Sequence, residues 1–246
     1  QPPGLVQQVF LDVLSGFQRI EALAHDDVAG RAGAGHFAGV VEFDTVFQQG
    51  FANRLALFRL DDRTIRAPAE MIFDPVYNLL DYQLSPAKLE EKQLWKAQAI
   101  ARKVVTALKS PGLFAIELFI DNHGDVWVNE TAPRVHNSGH HTIEANYSSQ
   151  YDTLLRILLN YPLGNPAAIL PSAIVNIIGA EGYSGDVVYE GLDEVLKMDN
   201  VFVHLYGKLQ TKPGRKMGHV TIISGDYQDL THKANKIKHT LKVIAQ

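Results

Sequence analysis

Apolar and polar positions along this chain fall into blocks with two distinct periods. In residues 86–108, Ala87, Leu94, Ala97, Ile100, Ala101, Val104 and Leu108 recur at helical spacing, with Lys92, Lys96, Arg102, Lys103 and Lys109 on the other side. This predicts an amphipathic helix, ended by Ser110-Pro111-Gly112. The runs 115–120 and 126–130 are β-branched and aromatic and flank Asp121-Asn122-His123-Gly124-Asp125, which predicts a hairpin. Upstream, 71–75 and 79–82 read as short strands about a turn. Downstream, Ile143, Tyr147, Tyr151, Leu154, Leu155 and Leu158 predict a helix from about Thr142 to Asn160. After the turn-rich linker 161–166, a smaller unit begins, with strands at 172–178, 201–206 and 219–223. Its helices are expected at 192–197 and 230–244. Before residue 65 the pattern weakens: 9–23 reads as a short helix, and 39–47 and 55–60 as strands. The glycines of 30–39 have a spacing that can cradle a pyrophosphate between a strand and a helix, but no strand precedes them and a turn is the better reading.

The hairpin register follows from its turn. With His123 and Gly124 at the centre, Asn122 faces Asp125, and counting outward pairs Ile120 with Trp127 and Glu117 with Glu130. Opposed carboxylates destabilise a ladder by about 0.2–1 kcal/mol unless a cation lies between them. Magnesium takes oxygen ligands and bridges to nucleotide phosphates, so Glu117 and Glu130 are candidate metal ligands, with Asn129 completing the shell. The alternative leaves both glutamates on a solvated face. The neighbouring loop weighs against that alternative: 135–142 is too polar for a core and runs into the expected helix at Thr142, where backbone amides favour an anion. A metal-bound phosphate beside such a loop points to phosphoryl transfer onto a small acid. His136, His140 and His141 invite zinc, but Asn137-Ser138-Gly139 breaks the helical spacing and no third ligand is evident.

Composition narrows the field. The 246 residues are 46% hydrophobic, enough for a large core and room for two compact units. The net charge of −4 implies no general attraction to nucleic acid or an anionic membrane. The absence of cysteine excludes disulfides and thiolate catalysis and fits a cytoplasmic enzyme. No apolar run reaches the roughly 18–20 residues of a membrane span, and no signal-like segment opens the chain. Residues 1–64 contain no lysine, whereas 13 occur from Lys88 onward, and the first methionine is Met71. This break leads us to expect a fragment, a foreign piece or a misread frame in that segment.

The order G-L-F-A-I-E-L-F-I (112–120), V-N-E-T-A-P-R-V-H-N-S-G-H-H-T-I-E-A (128–145) and S-Q-Y (149–151), followed by Gly207-Lys208 and P-G-R-K-M-G-H-V (213–220), resembles the N5-carboxyaminoimidazole ribonucleotide synthetases. This ATP-grasp family is also known as the ATPase subunit of phosphoribosylaminoimidazole carboxylase. The likeness spans roughly residues 65–244 and departs at Val135, where the family usually has proline. It implies an α/β fold of α+β type: the C-terminal part of an ATP-grasp domain over 65–163, a small mixed β/α domain over 164–246, and an unassigned segment 1–64. It implies ATP and magnesium, with Glu117 and Glu130 on the metal and Asn129 and Glu130 on the nucleotide. Arg134 and His136 become catalytic candidates, and Asn137 and Ser138 substrate-binding ones. Lys208, Arg215 and Lys216 are candidates for a phosphate or carboxylate clamp; Asn176, His204 and His232 are read as structural.

The implied reaction has bicarbonate attack the γ-phosphate of ATP to give carboxyphosphate, from which the amine of aminoimidazole ribonucleotide becomes a carbamate, with Arg134 stabilising developing charge. The implied partners are those small molecules and a second copy of the chain in a homodimer, with no nucleic acid and no membrane. The family also places a nucleotide-like domain and a lid with phosphate-holding lysines ahead of residue 65, and those lysines are not found here. Two alternatives stay open: another ATP-grasp ligase such as a formate-dependent ribonucleotide transformylase, expected to lack the full HNSGHH run, or a non-catalytic nucleotide-binding or dimerising fragment, favoured by the missing lysines. On this reading the chain binds nucleotide weakly and turns over slowly.

Overall fold

The computed structural model describes residues 51–59, 66–73 and 80–246, with the side chains of 51–59 and of Asp81 outside the description. The helix expected at 9–23, the glycines of 30–39 and the strand at 39–47 lie outside these residues. The strand expected at 55–60 is seen as β1 (Phe51–Arg59).

The first helix, α1 (Glu91–Leu108), starts later than its periodicity suggests because Glu90 and Gln93 form a capping box that satisfies the first-turn amides. It buries Ala97, Ala101, Val104, Val105 and Leu108 against Phe114, Ile116, Leu118 and Ile120 of β4 (Phe114–Asp121). A strand has a side-chain period of two, so Ala115 and Glu117 point to the opposite face. Each large side chain in this layer contributes about 1.5–3 kcal/mol by leaving water.

Strand β4 lies within an eight-stranded antiparallel sheet of order β5-β4-β1-β2-β3-β6-β10-β8. The further members are β2 (Ala69–Phe73), β3 (Leu80–Ser85), β5 (Val126–Ala132), β6 (Ser172–Ile178), β8 (Val201–Leu205) and β10 (Lys216–Ile223). β3 pairs with β6 from Tyr82↔Val175 to Ser85↔Ser172, so the sheet runs unbroken from the hairpin into the C-terminal part. Leu84, Ala173, Val175, Ile177, Val220 and Ile222 form a second core beneath α5 (Tyr227–Thr240), which follows the short α4 (Leu192–Leu196) and whose Leu230, Ala234 and Ile237 are buried against it. Both long helices therefore cover one face. The other face presents Met71, Gln83, Asn176, His204, Glu117 and His219, and the loop after β5 folds over it.

Two segments differ from the sequence reading. The helix expected from Thr142 to Asn160 is broken into α2 (Thr142–Ala145) and α3 (Gln150–Leu158). Asn146 is extended and bridges Ala168, its Nδ2 donating to the Pro166 carbonyl at 2.8 Å, while Ser149 caps α3 by accepting the Asp152 amide at 3.1 Å. These short polar side chains offer the backbone partners outside a helix. The buried Arg66 guanidinium then ties this corner by donating to Pro166 O, Ser149 O and Thr153 Oγ1. The closing helix ends at Thr240, and Lys242–Ala245 becomes strand β11, paired with β7 (Gly185–Glu190) in a small sheet with β9 (Gln210–Thr211). The sequence pattern does not predict β7, β9 or β11: β9 has only two residues, and the residues of β11 continue an apolar spacing that also suits a helix.

Candidate active site

The hairpin turn is one residue longer than the two-residue centre expected. Asp121 N–H donates to Asp125 O at 2.9 Å and Gly124 N–H to Asp121 O at 3.0 Å, leaving a three-residue loop with Gly124 at φ +76°, a conformation glycine adopts at low cost. The Asp121 carboxylate accepts from Trp127 Nε1 and from the Asp125 and His123 amides, and these donors hold it below the usual carboxylate range. Lys96 of α1 pairs with Asp125 at 2.7 Å.

The three-residue loop corrects the expected pairing of Ile120 with Trp127: Ile120 faces Val126, Phe119 faces Trp127 and Leu118 faces Val128. Glu117 nevertheless faces Glu130, because a register shift between Glu117 and Leu118 leaves Asn129 as an extra residue in β5. The bulge has a second consequence. Val126, Val128 and Glu130 share one parity, and a regular strand would put them on one face. With the bulge, Val126 packs toward α1 while Glu130 joins Glu117 on the open face.

There the two carboxylates meet an imidazole. His136 Nδ1 lies 3.5 Å from Glu117 Oε1, and its Nε2 lies 3.4 Å from Glu130 Oε1. One ligand atom from each of the three residues lies within 4.8 Å of the others. The Glu117 side chain is 14% exposed and that of Glu130 55%, so the cluster opens to solvent on the β5 side. Ser138 Oγ is 2.8 Å from His136 Nδ1. Burial pushes the His136 pKa down; Glu130 opposes this, and the charges of Arg134 and Lys216 add to it. Opposed carboxylate oxygens are the donors that a hard divalent cation takes, and so few protein groups leave room for water and phosphate oxygens.

The loop carrying His136 is built inward rather than toward a helix start. Asn137–Gly139 forms a 3-10 turn, and the buried Ser138 gives its carbonyl to Gln83 Nε2 at 2.6 Å, with His141 Nδ1 3.1 Å from the same oxygen. α2 has only four residues and α3 is capped by Ser149, so the expected anion site at a helix N-terminus is not formed. Nor do the three histidines converge. His140 stacks on His219 at 4.6 Å, and His219 stacks on its cross-strand partner His204 at 4.5 Å. His204 Nε2 meets Glu144 at 2.7 Å, and Tyr206 OH meets His219 Nδ1 at 3.1 Å. Burial lowers His140 and His141 to about 4 and His219 to about 3, so these three imidazoles are neutral at physiological pH.

The other residues singled out by sequence lie around this centre. Asn129 is exposed at the bulge and Asn137 is half-buried in the 3-10 turn. The exposed Arg134 guanidinium donates to the Val135 carbonyl at 2.9 Å. Lys208 donates to the Lys216 carbonyl and Arg215 to the Gln210 carbonyl, so both brace their own turn. Lys216 is exposed, and its charge depresses His136 and His140, which places its ammonium in electrostatic reach of the loop. Sequence reasoning missed Gln83, Gln150 and the pairing of His140 with His219. Their common signal, a polar residue on the inward parity of a strand or helix, emerges only once the faces are assigned.

Comparison with known proteins follows this division. Residues 72–151 match the ATP-grasp domain and residues 172–233 the phosphoribosylaminoimidazole carboxylase C-terminal domain. The N5-carboxyaminoimidazole ribonucleotide synthase of Aquifex aeolicus is 36% identical over 169 residues, which is 68% of this chain and 42% of that protein. The crystal structure of N5-carboxyaminoimidazole ribonucleotide synthetase from Thermotoga maritima superposes with a TM-score of 0.72 at 38% identity, covering 80% of this chain and 54% of that one. The Aspergillus clavatus synthase in complex with ADP and 5-aminoimidazole ribonucleotide gives 0.67 at 28% identity, covering 77% and 51%. The chain thus spans about half the length of these relatives or less. Two domains matched in sequence and in this order, on a shared fold, establish that the chain belongs to the ATP-grasp family of N5-carboxyaminoimidazole ribonucleotide synthetases.

Proposed function

We propose that this chain carries the metal- and substrate-facing half of an ATP-dependent ligase that carboxylates 5-aminoimidazole ribonucleotide with bicarbonate to the N5-carboxy product in purine biosynthesis, in the cytoplasm. The opposition of Glu117 and Glu130 around His136 supports this reading most directly. The two carboxylates would hold magnesium, which when bound supplies charge neutralisation and alignment of the ATP phosphates. Asn129, exposed beside Glu130, would meet the nucleotide. His136 and Arg134 would meet the anion, and their N–H donors would stabilise negative charge on bicarbonate and on the oxygens being transferred. Ser138 holds the His136 ring, and Asn137 offers an amide at the same rim. Lys216, with Arg215 before it and Lys208 bonded to its carbonyl, would meet the ribonucleotide phosphate.

A homodimer belongs to this reading. Tyr147, Tyr151, Leu155, Leu158, Leu159 and Tyr161 are between 41% and 71% exposed, and the four on or beside α3 recur on one helix face. A contiguous apolar stripe of this kind marks an interaction surface.

A second reading, a nucleotide-binding or dimerising remnant without turnover, is favoured by the lack of lysine before Lys88. Incubation with isotope-labelled bicarbonate, magnesium ATP and aminoimidazole ribonucleotide separates them. ATP-dependent label in a carbamate supports the ligase, at a rate below that of full-length relatives; nucleotide binding without label supports the remnant.

A further inference from the structure

The side chain of Gln150, the first residue of α3, is fully buried, and its carboxamide is spent largely on the backbone of His136. Gln150 Oε1 accepts the His136 N–H at 2.9 Å, and Nε2 donates to the His136 carbonyl, also at 2.9 Å. One side chain thus closes both backbone groups of a residue 14 positions away, as a neighbouring strand would. The second Nε2 hydrogen meets His140 Nδ1 at 3.0 Å. Because an amide nitrogen only donates, His140 Nδ1 must accept, which leaves its proton on Nε2. The Gln150 N–H is itself held by Thr142 Oγ1 at 2.9 Å, whose hydroxyl donates to Gly139 O at 2.6 Å. Gln150 is therefore the knot between the 3-10 turn, the stacked histidines and the start of α3.

His136 has an extended backbone, φ −134° and ψ 153°, just ahead of the turn, and its ring spans the two glutamates. Rotation about that backbone would carry the imidazole out of the gap. We propose that Gln150 is a positioning residue: it fixes the backbone of His136 and thereby holds the imidazole between Glu117 and Glu130. This rests on the reading of His136 as an active-site group. A leucine would fill the same space but leave the His136 N–H without its acceptor and the His136 carbonyl with only the Gly139 N–H, 3.0 Å away, and catalytic groups tolerate displacements well below an ångström.

Two variants of the full chain test this, Gln150→Leu and Gln150→Glu, the latter keeping the acceptor for His136 N–H while losing the donors. In phosphate release dependent on aminoimidazole ribonucleotide, Gln150→Leu lowers kcat ~10- to 100-fold with KM for ATP within about twofold, and Gln150→Glu falls between it and the unchanged chain. The double variant His136→Ala/Gln150→Leu is no slower than His136→Ala alone, because both act through one imidazole. An unchanged kcat in either Gln150 variant, or a fully multiplicative loss in the double variant, overturns the proposal. Amide hydrogen exchange supplies a readout without turnover: the His136 amide is protected in the unchanged chain and loses protection in Gln150→Leu, while the amides of Ile116 and Leu118 keep theirs. Equal exchange at His136 in both chains overturns the proposal even if the chain is active. If the unchanged chain releases no phosphate but His136 loses protection in the variant, the ligase reading falls and the positioning role stands.

Discussion

At the scale of single residues, the site brings two like charges face to face. Glu117 and Glu130 repel across the ladder, and the His136 between them is kept from charging by burial. Replacing Glu130 by Gln should therefore have two opposite effects. Without metal, the urea midpoint rises by the equivalent of about 0.2–1 kcal/mol, the repulsion removed; with manganese as a spectroscopic probe, affinity falls by ~10-fold or more. A variant that loses stability and keeps its affinity contradicts the metal assignment. The neutral histidines set the acid limit. His140 and His141 titrate near 4 and His219 near 3 when folded, against about 6.5 when unfolded. The unfolded chain therefore takes up protons first as pH falls. The stability these residues provide is complete above about 6.5 and drains away as pH drops through about 4. For the fully buried His141 the loss is on the order of 3 kcal/mol. Urea unfolding followed from neutral pH downward should show this decline; a flat profile above pH 4 would count against a neutral, buried layer. The glutamates can be found from sequence by counting outward from a turn. Gln150 and His219 cannot, since their partners come from other elements and nothing in their immediate neighbours distinguishes them from ordinary buried polar residues.

At the scale of elements, two deviations in the hairpin cancel at Glu117↔Glu130. The real turn takes in Asn122 as a third loop residue and so moves the register by one, and the bulge at Asn129, which the pattern does not announce, restores it. Strand identities are legible because the period-two apolar runs are strong, as in Ser172–Ile178, where expectation and structure coincide. Breaks are not, because Asn146 and Ser149 interrupt a good helical spacing with hydrogen bonds to distant or capping partners. The glycine of the G-R-K-M-G-H motif has a packing reason as well: a Cβ at Gly218 would press into the His204 carbonyl of the adjacent strand. Two measurements probe the hairpin. Gly124→Ala, forced to hold φ +76° with a Cβ, should cost about 1 kcal/mol with an unchanged urea slope. Ile116→Ala, at a position with no exposed area under α1, should cost on the order of 3 kcal/mol. A loss at Gly124 as large as that at Ile116 would mean that the turn, not the packing on α1, holds the carboxylate strand.

At the scale of the whole molecule, β3–β6 pairing makes the ATP-grasp portion and the C-terminal portion one sheet, so the basic turn after β9 is held at a fixed place relative to the hairpin. The outer side of α3 carries an exposed apolar stripe of Tyr151, Leu155, Leu158 and Leu159, and it should carry the second copy: sedimentation at micromolar concentration should show a dimer, and Leu155→Lys/Leu158→Lys a monomer of unchanged fold. A monomeric parent chain would remove the homodimer from this account. No helix among the described residues is long and apolar enough to cross a membrane. The central claim, that the opposed glutamates form a working magnesium site for carboxylation of aminoimidazole ribonucleotide, is tested most directly by phosphate release from magnesium ATP and bicarbonate, measured with and without the ribonucleotide and with Glu130→Gln alongside. The account predicts slow release that depends on the ribonucleotide and vanishes in Glu130→Gln. Release indifferent to the ribonucleotide or to Glu130, or no release at all, would contradict it.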